Sequence, residues 1–487
     1  MAQKTITRRE FLKTAGIAGA GLAVAGLAGC AAPTPAVVKE VVKETVVVAG
    51  TPQVVEKVVE KVVTAPPPTT APTAAPTAVP KPVKTAALKL QLISHFVAGY
   101  DDWIKQFATD WGKANGVTVT VDFVSNLDLA ARGAAEVAAQ KGHDIVQWDQ
   151  AVSSPFLWKN HTVNLTDLVQ QMEGKYGKFS NVAQQAGFDG ATGTWFSMPI
   201  FYMAFPSLYR KDLWDQVGGF PDTWEKVLEG GRKLKAMGNP VGIPISRGSD
   251  GNVQWRGIIW SYGGSVQDKD QKVVINSPEV LEAVKFARAL YKETMTEEVL
   301  AWDDTGNNRF LASGKGSLIF NPISAYISIK GTDKALADKI FVAKPPQGSK
   351  ARLMGVTPHS WTLWKFAENQ VNALEFMQYF AANFKQSFEK SGGYNMPMNP
   401  GWVSTPMPIL SNDPTNVPPD KLAVVQTAQE WSVGFEYPGP NSPAMGEVIA
   451  TFVIPDMIAQ AATDKMTPED AVKWAADQVN RIVKKWS

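Results

Sequence analysis

Between Leu88 and Trp148 the chain alternates strand-like and helix-like periodicity in an order that few folds can accommodate. Leu88-Lys89-Leu90-Gln91-Leu92-Ile93 alternates apolar and polar side chains and then breaks at Ser94-His95-Phe96, which is the pattern of a strand. From Asp101 to Asn115 the residues Trp103, Ile104, Phe107 and Trp111 share one helical face. A second strand from Val117 to Val124, a helix from Leu127 to Lys141 and a third strand from Asp144 to Trp148 complete a βαβαβ unit. Such a unit predicts a parallel sheet covered by helices. Ligands of such sheets sit at the carboxyl ends of the strands, which nominates Ser94, His95, Trp148 and Asp149.

At 487 residues the chain exceeds what one core usually organises, so two lobes or domains are expected. The formal net charge is +2, to which the first 29 residues contribute +3 through Lys4, Arg8, Arg9 and Lys13 against Glu10, leaving about −1 for the remainder. A nearly neutral body argues against nucleic acid as a partner and favours neutral or weakly charged ligands. The single cysteine, Cys30, rules out an intramolecular disulfide and a cysteine metal cluster. His95, His143, His161 and His359 show no spacing that pairs two metal ligands, so neither a metal nor a cofactor is expected.

Residues Thr7 to Lys13 read Thr-Arg-Arg-Glu-Phe-Leu-Lys, the twin-arginine export signature. An Ala/Gly-rich stretch too short and small-residued for a stable span leads into Leu27-Ala28-Gly29-Cys30, which resembles a bacterial lipobox. Residues 1–29 are thus expected to be a twin-arginine lipoprotein signal peptide and Cys30 the lipidation site, anchoring an extracytoplasmic protein to a bacterial membrane at the cell surface or in the periplasm. Residues 30–85 are of low complexity: Val-Val-Lys-Glu and Val-Val-Glu-Lys units, then a Pro/Thr/Ala tract from Ala65 to Pro82. The valine spacing would allow a helical stripe, but short helices without packing partners are marginal, so a tether is expected.

Trp195-Phe196-Ser197-Met198-Pro199-Ile200, Leu208-Tyr209-Arg210-Lys211-Asp212-Leu213-Trp214 and Phe220-Pro221-Asp222-Thr223-Trp224-Glu225-Lys226-Val227 together resemble the hallmark of family 1 extracellular solute-binding proteins. Further pieces follow in the expected order: Trp260-Ser261-Tyr262-Gly263-Gly264, Asn276-Ser277-Pro278-Glu279, Phe310 to Leu318, Lys344-Pro345-Pro346-Gln347-Gly348 and Ala373 to Met377. Thr223 can cap a helix, with Glu225 in its first turn and Trp224 as a packing anchor. The resemblance spans residues 88 to 487 and implies a maltose-binding-protein-like, two-lobed periplasmic-binding-protein fold of the type II kind, α/β in class, with hinge crossings and a ligand cleft between the lobes. By that likeness lobe 1 takes 88–200 plus 319–362, and lobe 2 takes 201–318 plus 363–487.

The implied function is capture of a carbohydrate, mono- or oligosaccharide, by cleft closure for an ABC importer, whose permease subunits and ATPase would be the partners of a monomer. Sugars present flat apolar faces edged by hydroxyls, so aromatic rings supply stacking and short polar side chains fix the hydroxyls. The aromatic candidates are Tyr202, Trp255, Trp302, Trp361, Tyr394 and Trp402; the polar ones are Asp149, Arg256, Asp303, Asn321 and Ser360. Core packing is the plainer role for each aromatic, and a solvated loop charge the plainer role for Asp303 and Arg256. A binding protein for a polyamine, peptide or anion is the alternative, the polyamine case requiring several carboxylates in the cleft. An extracytoplasmic glycoside hydrolase is a more distant one, since neither a GxSxG elbow nor a GxxxxGK[ST] loop is present.

Overall fold

The computed structural model describes residues 36–48, 51–63 and 84–487. The twin-arginine motif, Cys30 and the Pro/Thr/Ala tract lie outside the described residues. Within the low-complexity segment, β1 (Ala36–Val48) and β2 (Thr51–Val63) form an antiparallel ladder, from Ala36 opposite Val63 to Val48 opposite Thr51. Valine-rich chain suits a strand better than a helix, because branching at Cβ restricts its rotamers in a helical turn.

Lys81–Ser487 forms a separate compact unit built on two sheets. Its strands are β3 (Ala87–Ile93), β4 (Thr118–Val124), β5 (Ile145–Asp149), β6 (Phe188–Asp189), β7 (Thr194–Trp195), β8 (Met198–Ala204), β9 (Ser207–Arg210), β10 (Val241–Gly242), β11 (Leu318–Phe320), β12 (Ile340–Ala343), β13 (Met354–Leu363), β14 (Met396–Pro397) and β15 (Ser432–Val433). The larger sheet has the order β14-β8-β13-β5-β3-β4, with β15 paired to β13. Its opening strands are parallel, β3 lying between β5 and β4, as the βαβαβ pattern requires. The smaller sheet has the order β10-β11-β9-β12, and β6 and β7 make a small hairpin.

The chain crosses between the two sheets at Phe205-Pro206, between β8 and β9, and returns between β12 and β13 through Pro345-Pro346. This corrects the expected lobe boundaries. Residues 318–343 belong with the smaller sheet, because β11 and β12 both pair with β9. The helices Gln370–Ala382 and Phe384–Lys390 pack on the larger sheet's side, where Phe376 meets Trp111 and Trp361 at ring distances of 5.3 and 5.7 Å. Residues 413–421 bond to Tyr326, Lys330, Ala337 and Asp338 of the smaller half, and the helices Val453–Ala462 and Pro468–Trp486 pack there against Pro278–Thr294, while Pro443–Ala450 bridges to Pro155–His161. A three-residue apolar run such as Leu318–Phe320 carries no sign of which sheet it joins.

Local signals behave as elementary chemistry requires. Thr223 accepts the Lys226 amide at 3.3 Å and caps the Trp224–Ala236 helix, while Trp224 is buried against Phe320 at 4.9 Å. The Pro278–Thr294 helix buries Val280, Ala283, Val284, Ala287 and Leu290, its expected stripe. The Ser249–Ser261 helix differs, for all of its residues are buried. It packs against β13, and Gly257 permits this approach: a Cβ there would meet Met354 Sδ at 2.5 Å.

Candidate functional site: a polar seam between the sheets

The carboxyl ends of β3, β4 and β5 meet the first turn of the Ser249–Ser261 helix, and the two halves are joined there by hydrogen bonds. Asn252 Nδ2 donates to Ala151 O at 2.8 Å, and Asn126 Nδ2 donates to Asp304 Oδ2 at 2.9 Å. The halves are therefore closed on one another. Between them lies a closed cavity of about 10 Å³, lined by Phe96, Met203, Phe205, Ser249, Asp250, Asp304, Asn321, Pro322, Ser324 and Tyr394. Its volume is below the roughly 300–1,000 Å³ usual for small-molecule sites, so a solute enters only as the halves part.

Asp250 and Asp304 line this cavity, and a third buried carboxylate, Asp149, stands beside it across Asn126. Asp149 ends β5; its Oδ1 accepts the Ala151 amide at 2.8 Å and its Oδ2 accepts Asn126 Nδ2 at 3.2 Å. Asp304 lies in the turn before the Gly306–Ala312 helix and accepts the Asp250 amide at 3.3 Å, close under Gly248, where a Cβ would strike its Oδ1. Asp250, in the first turn of its helix, accepts Asn307 Nδ2, which also donates to Asn321 Oδ1 at 2.7 Å. Burial pushes the Asp149 carboxyl up to about 7 against the Asn126 hydrogen bond, and the Asp304 charge adds to the rise. Burial likewise raises Asp304, and raises Asp250 well above the carboxylate range with help from the Asp304 charge. The Tyr394 phenol is also raised, first by burial and then by the charges of Asp250, Asp149 and Asp304.

Buried polar atoms without partners run along the same seam: Gln150 Oε1, Ser153 Oγ, Ser249 Oγ, both side-chain atoms of Gln254, Arg256 Nε, Thr357 Oγ1 and His359 Nε2. Their three segments adjoin, for Gln150 N donates to Pro358 O at 3.1 Å and a Cβ on Gly355 would touch Val253 Cγ1 at 3.0 Å. Folded proteins leave few such atoms unpaired, so a concentration of them marks a place prepared for a polar occupant. Beyond Gln150 lies Glu436, which accepts its amide at 3.1 and 3.2 Å and whose carboxyl burial pushes up to about 8. Gln150 also reaches Asn441 and the Gln185 carbonyl. Gln185 and Asn441 line an open groove of about 580 Å³ together with Gln184, Phe188, Gln429 and Tyr437.

Asp149, Asn321 and Tyr394 of the sequence candidates come together here. His95 stands behind them, half-buried, stacked on Tyr100 at 3.9 Å and bonded through Nε2 to Asn395 Oδ1 at 3.0 Å; burial lowers its pKa to about 4. Arg256 lies farther along the seam, over the Phe435 ring at 5.7 Å, its pKa lowered to about 9 by burial. The other candidates lie elsewhere. Ser94 is exposed beside β4, and Ser360 is buried in β13 between Trp148 and Pro199. Trp148 is core, donating to Thr362 Oγ1 at 2.8 Å and packed on Trp158 and Trp364. Trp255 is core through its bond to Pro244 O at 2.8 Å, Trp302 through Phe310, Trp361 through Phe376 and Phe380, and Trp402 through Phe179 and Phe384. Tyr202 is buried in β8 opposite Met396 and Pro358. Asp303 is a surface carboxylate, 60% exposed and paired with Arg309 at 2.9 Å; its neighbour Asp304 is the one that faces inward. Asn126, Ser249, Asp250, Asp304 and Asn307 escaped the sequence reading, although Asn126 follows the end of β4 and obeys the strand-end rule.

A family model described as bacterial extracellular solute-binding protein matches residues 98–385. A binding protein of Brucella abortus is 26% identical over 221 residues, which are 43% of this chain and 52% of that protein. The chain thus spans about half the length of the first curated relatives it matches. Among solved structures, maltose-bound MalE3 of T. maritima aligns with a TM-score of 0.69 at 20% identity, over 81% of this chain and 99% of that one. An ABC transporter solute-binding protein from Thermotoga lettingae bound with alpha-D-tagatose gives 0.69 at 18% identity, over 82% and 100%. The shared architecture is the two-lobed periplasmic-binding-protein fold.

Proposed function

The chain belongs to the bacterial extracellular solute-binding protein family, and from that premise we propose that it captures a carbohydrate between its two lobes and delivers it to an ABC importer. The observation that carries this reading is the seam of buried, unpartnered hydroxyl, amide and guanidinium groups where the lobes meet. A polyhydroxylated solute can donate to the carboxylates and both donate to and accept from the amides, satisfying atoms that closure alone leaves orphaned. The sugars held by the two solved structures above support the same class of ligand. The groove beyond Gln150 has room for a sugar as it stands, and the cavity beneath Ser249 admits one only as the lobes part.

The mechanism is a shift of population: the open form admits the solute, contacts to both lobes favour closure, and the closed form is the one a transporter recognises. Permease subunits and an ATPase would complete the importer. Export by the twin-arginine route and acylation of Cys30 would hold the protein on the outer face of the membrane; membrane fractionation of a Cys30→Ser variant checks this, with release to the soluble fraction expected. Capture proceeds without turnover. Thermal unfolding of the full chain against mono- and oligosaccharides tests the function: at a hundred times Kd a bound sugar stabilises by about 2.7 kcal/mol, and it is recovered unchanged. A chain that no carbohydrate stabilises, or that consumes one, does not have this function.

A further inference from the structure

Resting on the reading of the seam as the solute site, we propose that the solute carries a protonated amine, which is received between the lobes at the cavity lined by Asp250, Asp304 and Ser249, with Asp149 beside it. No lysine, arginine or histidine lines this cavity. The arginines nearest in sequence are spent elsewhere: Arg247 pairs with Asp456 at 2.9 and 2.7 Å, and Arg309 pairs with Asp303. The donors that meet the carboxylates are neutral ones, the Asn126 and Asn307 amides and backbone N–H groups.

An independent feature points to an occupant. Ser249 is 3% exposed and lines the cavity, and its Oγ faces Asp149 without closing a hydrogen bond of good geometry. An ammonium group carries three N–H donors and no acceptor, which matches a wall of carboxylates and a hydroxyl. Hydrogen bonds from an ammonium to carboxylates are charge-assisted and stronger than those from neutral hydroxyls. They would also relieve the repulsion by Asp304 that adds to burial in raising Asp149 and Asp250. Among the described residues no three of His, Cys, Asp and Glu are arranged to hold a metal ion, so an organic cation is the better fit. The closed cavity has room for little more than a water, so only a small head group is accommodated as the lobes part, and Phe96, Phe205 and Tyr394 line its walls. Two sources share this chemistry, an amino sugar and a free polyamine.

Calorimetric titration of the full chain with the pairs glucosamine and glucose, and galactosamine and galactose, and with putrescine and spermidine, tests the inference at pH 7.5. At least one amine is expected to bind tenfold or more tightly than its neutral counterpart. Asp250→Asn and Asp304→Asn are each expected to lower that affinity tenfold or more while the unfolding temperature is held or raised. Binding of putrescine or spermidine with silence from the amino sugars supports the amine and overturns the carbohydrate reading. Equal or tighter binding of a neutral sugar overturns the amine and leaves the carbohydrate reading standing. Silence from every amine, or amine binding indifferent to both substitutions, also overturns the inference.

Discussion

Asp149 and Asp304, carboxylates from opposite lobes, share one donor: the Asn126 amide stands 3.2 Å from the first and 2.9 Å from the second. Closure thus brings two acids together over a single neutral group. Without Asn126 both lose a hydrogen bond while remaining buried, which costs about 1.5–3 kcal/mol where they are ionised. Asn126→Leu is therefore expected to destabilise the protein by about that amount at pH 8 and by less at pH 5. Urea unfolding at the two pH values measures both.

The raised Asp149 gives the solute-free protein a defined pH dependence. Its folded pKa of about 7 exceeds the ordinary aspartate value of 3.8, so between those values the folded state holds a proton that the unfolded chain releases. Stability from this group is greatest below about pH 4, falls as pH rises towards 7 and is level above, by roughly 4 kcal/mol in all. Asp149→Asn is expected to flatten that part of the profile. The difference between wild-type and variant unfolding free energies from pH 4 to 8 isolates it from Asp250 and Glu436, which shift in the same direction.

Trp255 is buried in its lobe and bonded to Pro244 O, so its role is expected to be structural. Trp255→Phe removes the donor to Pro244 O and leaves a buried carbonyl unpaired, at a cost of about 1–3 kcal/mol. Solute affinity at a temperature where the variant is folded is expected to stay within about twofold. A tenfold loss in calorimetry would place the ring in the site.

The legible part of this protein was the part set by short-range patterns. The βαβαβ opening, the Thr223 cap and the Pro278–Thr294 stripe followed from periodicity, and Asp149 followed from its place at a strand end. The lobe boundaries did not, because pairing partners for strands as short as β11 and β12 are fixed by tertiary packing. The aromatic candidates are buried for a related reason. A tryptophan in a loop-like stretch still buries a large ring; Trp255 satisfies its N–H on Pro244 O, while Trp361 and Trp402 bury theirs without a partner. Asp303 and Asp304 are adjacent, and only the turn decides which faces Arg309 and which the cavity. Asp250 lies on a helix buried all round, where no amphipathic stripe marks an inner face.

Calorimetric titration of the Asp149→Ala variant with the solute that stabilises the wild type bears most directly on the seam as the binding site. Loss of about 1.5–3 kcal/mol of binding free energy, a tenfold to roughly 150-fold weakening, is the predicted result. Unchanged affinity would remove Asp149 from the site and place the solute elsewhere on the molecule.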